Sequence, residues 1–280
     1  MALTLVGRAG LVRSQPAVTL PTTDAPAQPG APVLSQNGVY LPSGLDVSRP
    51  VPLLLALHGQ AGSGPGIAQR LRPCADQYGW LLIAPTMAYR TYFDPDQVRL
   101  DAEQNLPQVH GLIARLRTQL AGVPLWDKLL LYGFSRGAQM AHRFTLAYPQ
   151  EVAAVAALSA GSYTLPEDVD PAQTPLNFPY GVADLETVAG APFDQAAFTR
   201  VPFWIGVGGA DTNPADTARA WDQYEGRTRV ERALSFAEQL QARGASVSLH
   251  VFGGVGHEET GTMRASACAF LAANLAETGR

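Results

Sequence analysis

The stretch Leu129-Leu130-Leu131-Tyr132-Gly133-Phe134-Ser135-Arg136-Gly137-Ala138 decides how the rest of this 280-residue chain is read. Its first part is a short, uninterrupted apolar run, the pattern of a strand buried on both faces of a parallel sheet. A helical stretch follows at Arg136–Tyr148, and between the two lies a serine with glycines two residues to either side. In a strand-to-helix turn this sharp the serine backbone is strained, and side chains at the flanking positions would collide, so glycine is required there. Chance placement of the 12 serines and 27 glycines gives roughly 0.1 such matches per chain. The spacing alone therefore carries moderate weight, and its strand–helix setting supplies the rest.

Working outward, similar apolar runs recur at Pro52–Leu57, Trp80–Ala84, Val152–Leu158, Pro202–Val207 and Val247–Phe252, which makes six expected strands with Leu129–Tyr132. Between them lie helical patterns at Gly66–Tyr78, Gln97–Leu120, Thr228–Arg243 and Thr260–Ala276, besides Arg136–Tyr148. Alternating strands and helices predict right-handed βαβ units: an α/β fold with a doubly wound, mostly parallel sheet and helices on both faces. Residues 160–200 break the rhythm with prolines and five aromatics, Tyr163, Phe178, Tyr180, Phe193 and Phe198. They read as a short cap insertion over the ligand-facing end of the sheet, with Tyr163, Phe178 and Tyr180 as candidate substrate-binding residues. Residues 1–37 are expected to form an extended segment, rich in Pro, Ala and Thr over 14–36, ahead of one catalytic domain over 38–280.

Hydrophobic residues make up 46% of the chain and charged residues only 16%, enough apolar surface for one large core. A net charge of −4 without a basic run argues against nucleic acid, because phosphate binding needs clustered cations. Lys128, the only lysine, lies outside any glycine-rich loop, which excludes a P-loop. No glycine-rich segment satisfies G-x-G-x-x-G, so a nicotinamide cofactor is not expected. No apolar stretch is long enough to span a membrane. The start, MALTLVGRAGLVRS, does not read as a signal peptide, which leaves the compartment open between cytoplasmic and secreted. Cys74 and Cys268 are expected on one side of the sheet, as buried free thiols.

A serine hydroxyl becomes a nucleophile only with a base in hydrogen-bond reach and a carboxylate to orient that base. Of the five histidines, His110 and His142 fall within helices as surface or groove residues, His250 within a strand, and His58 in a loop whose shape it holds. His257 follows the last strand in Gly253-Gly254-Val255-Gly256-His257-Glu258 and is the expected base. The acid should lie between serine and histidine, after the penultimate strand. Asp211 meets that condition directly, with Asp216 as runner-up and Asp184 and Glu258 weaker. Two backbone N–H groups must also face the developing oxyanion. Arg136 supplies one, as the residue after the serine, and Gln60, in the turn His58-Gly59-Gln60-Ala61-Gly62, supplies the other.

Together, LeuHisGlyGlnAlaGly at 57–62, GlyPheSerArgGly at 133–137, Asp211 and GlyHis at 256–257 resemble the α/β-hydrolases. In detail the chain is similar to the esterase branch that includes poly(3-hydroxybutyrate) depolymerases, feruloyl and acetyl xylan esterases and related carboxylesterases. The resemblance covers residues 38 to 276. It implies a catalytic triad of Ser135, His257 and Asp211, an acyl-enzyme on Ser135 at a nucleophile elbow, a small-molecule or polymer ester substrate, and no metal or organic cofactor. The polymer-degrading members carry extra disulfides that two cysteines cannot match. A peptidase or acyltransferase using the same triad is the alternative, since fold does not fix reaction. A purely binding protein is disfavoured, because binding alone needs no strained serine between glycines.

Overall fold

The computed structural model describes residues 37–120 and 122–278. The N-terminal extended segment expected over 1–37 lies outside the described residues, apart from Asn37. In chain order the elements are β1 (Asn37–Tyr40), β2 (Val51–Leu57), α1 (Gly64–Tyr78), β3 (Leu81–Pro85), α2 (Pro95–Gln119), β4 (Leu125–Phe134), α3 (Arg136–Ala147) and β5 (Val152–Leu158). Then follow α4 (Leu185–Ala189), α5 (Gln195–Phe198), β6 (Phe203–Gly208), α6 (Asp222–Glu225), α7 (Arg229–Ala242), β7 (Val247–Phe252) and α8 (Gly261–Thr278). The sheet order is β1-β3-β2-β4-β5-β6-β7. All pairings are parallel except β1 against β3.

Six strands match the expected apolar runs, and β1 is the one that pattern reading passes over. Its four residues, NGVY, are too short and too polar to stand out, and it pairs on one edge only, where burial demands less of a sequence. In the central strands alternate side chains feed two separate cores. Leu53, Leu55, Leu57, Leu129 and Leu131 pack with α2, α3 and α7 on one face. Leu54, Ala56, Leu130 and Tyr132 pack with α1 and α8 on the other. This two-sided burial is why the strands read as continuous apolar runs rather than alternating ones.

Cys74 of α1 and Cys268 of α8 do lie on one side of the sheet, but they form a disulfide with a Cα–Cα distance of 6.1 Å. The expectation of free thiols is corrected. Both residues are buried within the α1/α8 core, so they meet with no water between them and with the Cα spacing a bridge requires.

The insertion over 160–200 contributes α4 and α5, and its first turn is fastened to the helices behind the sheet by backbone and side-chain bonds. Thr164 N donates to His142 Nε2 at 2.9 Å, and Thr164 Oγ1 accepts from Arg143 Nε at 2.9 Å. Tyr163 N donates to both carboxylate oxygens of Glu225 at 3.0 Å, while Trp221 Nε1 donates to Tyr163 O at 3.1 Å. His142 is therefore a core residue and not the surface or groove residue its helix suggested. Burial pushes the Glu225 carboxyl up to about 8, against the opposing charges of Arg232 and Arg143.

Two outcomes follow. The double variant Cys74→Ser/Cys268→Ser should melt roughly 5–15 °C lower, since a bridge closing so long a loop is worth ~2–4 kcal/mol and a domain of this size shifts ~2–4 °C per kcal/mol. Denatured, unreduced protein should titrate no thiol, and two free thiols would overturn the bridge. Secondly, folded Glu225 keeps a proton that the unfolded chain releases above about 4.5, so stability is favoured below that value and declines as pH rises toward about 8. Melting curves between pH 5 and 8 should fall more steeply for the native chain than for Glu225→Gln, and parallel curves would refute the assignment.

Candidate active site

Ser135 sits between β4 and α3 with φ 55° and ψ −117°, a conformation that non-glycine residues rarely adopt. The flanking glycines are explained by contact. A Cβ on Gly133 would lie 2.3 Å from Gly137 O, and one on Gly137 would lie 1.9 Å from Leu57 O. The start of α3 thus rests directly on the carbonyl end of β2, a separation only glycine permits. Ser135 N donates to Leu158 O at the end of β5 at 2.8 Å, which fixes the turn from its other side.

The loops after β6 and β7 meet at the same end of the sheet. Gly209 N donates to Phe252 O at 2.7 Å and Ala210 N to Val255 O at 2.8 Å, and a Cβ on Gly208 would strike Gly256 O at 2.2 Å. These contacts bring Asp211 and His257, 46 residues apart, into register. Ser135 Oγ lies 3.0 Å from His257 Nε2, and His257 Nδ1 donates to Asp211 Oδ2 at 2.7 Å. Phe134 stacks on the imidazole with ring centroids 5.3 Å apart.

Asp211 is buried, and its second oxygen, Oδ1, accepts from Arg229 Nη1 at 3.0 Å. Burial alone would raise its pKa. Hydrogen bonds from His257 and Arg229 and the positive charge of Arg229 outweigh that and hold the carboxyl below its ordinary value. Arg229 is the first residue of α7, whose capping box joins Thr228 to Glu231, and Arg229 Nη2 also donates to Asp216 O at 2.8 Å. Asp216 itself is exposed in a 3₁₀ turn and accepts from Asn213 Nδ2 at 3.0 Å, while the imidazole Nδ1 bonds to Asp211. Asp184 pairs with Arg99 at 2.7 Å and serves the insertion.

The loop after β2 lies against the serine, with a Cβ built on Gly59 only 3.2 Å from Ser135 Cβ. Ala61 is held at φ 57°. His58 donates through Nδ1 to Gly59 O at 2.7 Å and accepts from Met87 N at 2.9 Å, so it shapes this loop as expected. Arg136 turns its side chain inward to pair with the fully buried Asp101, which also accepts from Arg90 Nη1 at 2.9 Å. Its backbone N–H is left at the first turn of α3, where helix N–H groups point outward without an intrahelical acceptor.

A cavity of about 310 Å³ opens beside Ser135, lined by Gly59, Gln60, Tyr92, Phe134, Asp216, Arg229 and His257. None of these residues comes from the insertion. Tyr163 is fully buried, stacked on Phe236 at 4.2 Å, and Phe178 is buried beneath Arg143. Tyr180 packs on Trp221 and Tyr224. None of these three rings, expected to face substrate, lines the cavity: Tyr163 and Phe178 are buried in the packing that anchors the insertion, and Tyr180 is half-buried against it. Arg229, Asp101 and Tyr92 were not singled out in the sequence. Asp101 alone carries a signal, as a charge within the apolar stripe of Val98, Ala102, Leu106 and Val109.

Among the described residues no cluster of His, Cys, Asp and Glu could hold a metal ion, and no helix is long and apolar enough to cross a membrane. No protein-family model and no curated protein matches the chain. Solved structures do. Poly(aspartic acid) hydrolase-1 from Sphingomonas sp. KT-1 is 21% identical over 84% of this chain and 92% of its own, with a TM-score of 0.66. A phospholipase/carboxylesterase from Dyadobacter fermentans is 18% identical over 84% and 95%, TM-score 0.54. Esterase PE8 is 18% identical over 84% and 96%, TM-score 0.56. Together with the sheet order and the strand–turn–helix at Ser135, these likenesses give an α/β-hydrolase fold.

Proposed function

We propose that the chain is a serine carboxylesterase that cleaves short-chain or aromatic acyl esters through an acyl-enzyme on Ser135. One observation carries the reading: a strained serine hydroxyl 3.0 Å from an imidazole nitrogen whose partner nitrogen donates to a buried, ionised carboxylate. Ser135 Oγ attacks the ester carbonyl carbon as its proton passes to His257 Nε2. The carbonyl electrons move onto oxygen, where the backbone N–H groups of Arg136 and Gln60 hold the resulting anion. Collapse expels the alcohol, which takes its proton from His257. A water deprotonated by His257 then attacks the acyl-enzyme, and collapse breaks the bond to Ser135 Oγ, which takes the proton back from His257 as the acid leaves. Asp211 keeps the imidazole in the tautomer with the proton on Nδ1 and stabilises its cation, and Arg229 keeps Asp211 charged.

The size of the cavity, about 310 Å³, is at the small end of ligand sites. It suits an acetyl to butyryl chain or one ring against Tyr92 and Phe134. A neighbour described as a poly(aspartic acid) hydrolase makes amide cleavage the second reading. The cavity wall favours the first. Its exposed charge is the Asp216 carboxylate, while the Arg229 guanidinium is engaged by Asp211 and by Asp216 O. A polyanion would meet a like charge there.

A panel of p-nitrophenyl esters with poly(aspartic acid) alongside should show kcat/KM highest for acetyl to butyryl and falling beyond, with little or no amide cleavage. A fluorophosphonate should label Ser135, and Ser135→Ala should retain only about 10³–10⁴-fold acceleration over water. Labelling at another serine, or full turnover in the variant, refutes the proposal. Of the two acids, Asp211→Asn should cost about 10⁴-fold in kcat and Asp216→Asn far less, and the reverse order would reassign the acid.

A further inference from the structure

His257 rides on a loop, 253–260, whose glycines include Gly254 at φ 74° and Gly256. Upstream, the loop is tied to the turn before Asp211 by the bonds of Gly209 and Ala210. Downstream, two residues beyond the imidazole, one carboxylate turns inward. The Glu259 side chain is only 4% exposed, and its Oε2 accepts from Arg70 Nε of α1 at 2.6 Å. Oε1 accepts from Tyr132 Oη at 2.5 Å. Tyr132 lies on β4, three residues before Ser135, and is fully buried on the α1/α8 face. Burial and the adjacent Glu259 charge hold its phenol well above the usual range, so it remains the donor.

We propose that Glu259 is a positioning residue: through Tyr132 it ties the loop bearing His257 to the strand bearing Ser135, and so sets the separation of Oγ and Nε2. The inference rests on Ser135 and His257 acting as nucleophile and base. Neither Glu259 nor Tyr132 lines the substrate cavity, so neither touches the reacting atoms. Their effect runs through geometry. Arg70 and the Cys74–Cys268 bridge brace the same junction from α1, and Arg264 Nη1 donates to Glu259 O at 3.0 Å from α8. The chain on the downstream side of His257 therefore has a fixed end.

The test compares Tyr132→Phe, Glu259→Ala and Glu259→Gln with the native chain, using p-nitrophenyl butyrate and counting active enzyme by fluorophosphonate labelling of Ser135. A misplacement of about 1 Å can cost ~10²-fold, so Glu259→Ala should lose about 10- to 100-fold in kcat. Tyr132→Phe should lose about 10-fold, and in both variants KM should stay within about twofold. Glu259→Gln keeps an acceptor for the tyrosine and should recover most of the loss. A residue that only stabilises the fold would lower the melting temperature and leave kcat per labelled site unchanged. That result in Tyr132→Phe overturns the inference, as does a change confined to KM. Should Glu259→Ala fail to fold, Tyr132→Phe, which removes a single oxygen, decides alone. A native chain that neither hydrolyses the ester nor labels at Ser135 refutes the underlying reading instead.

Discussion

The packing of the α3 amino terminus onto the carbonyl end of β2 governs the arrangement of this protein. With Gly137 seated where a Cβ would come within 1.9 Å of Leu57 O, the helix begins almost on top of the sheet. The chain can enter it from β4 only through an abrupt turn, and that turn forces Ser135 to positive φ and pushes its side chain out at the carboxyl end of the sheet. Because β2, β4, β5, β6 and β7 are parallel, their following loops all emerge at this end. Ser135, Asp211, His257 and the 58–62 turn can converge only because each follows such a strand.

Much of this was legible because the deciding signals are local. The six long strands announce themselves as apolar runs, and Ser135, Asp211 and His257 each follow one of them, so chain order and strand ends suffice to bring them together. What stayed hidden depends on partners distant in sequence. β1 is four residues long and acquires its identity from pairing with β3. Nothing in the helical patterns told whether Cys74 and Cys268 would meet within bonding distance or merely share a face, since that turns on the rotation of two helices. Tyr163 and Phe178 looked like substrate contacts because an irregular segment rich in rings suggests a lid. The bonds from His142, Arg143 and Glu225 draw the segment inward instead. Arg229 has no marker, since a helix-initial arginine is ordinary until Asp211 is placed beside it.

The chain has few charges, yet it buries several of them. Arg136, Arg143, Arg229 and Arg232 are all within 4% of full burial. Arg136 and Arg229 meet Asp101 and Asp211, whereas Arg143 is held by Thr164, Ser162 and Gln139, and burial together with nearby Arg136 draws its pKa down to about 9. Buried ion pairs of this kind add little net stability over apolar packing, but breaking one partner leaves an uncompensated charge. In this structure they tie neighbouring parts together: Arg143 of α3 bonds to Thr164 and Ser162 of the insertion, and Arg229 of α7 meets Asp211.

The two halves of the site are consequently held by different physics. Ser135 is fixed chiefly by backbone contacts too close for any side chain, with one backbone bond to Leu158 O, so its position depends little on side-chain charge. His257 stands on a glycine-containing loop held largely by polar bonds: its own bond to Asp211, backbone bonds to the Asp211 turn on one side, and Glu259 on the other. Polar tethers can be exchanged or lost one at a time, whereas the turn at Ser135 is kept or lost whole. Differences in rate between variants that keep the fold should therefore arise mostly on the histidine side, where small displacements are possible without unfolding the sheet.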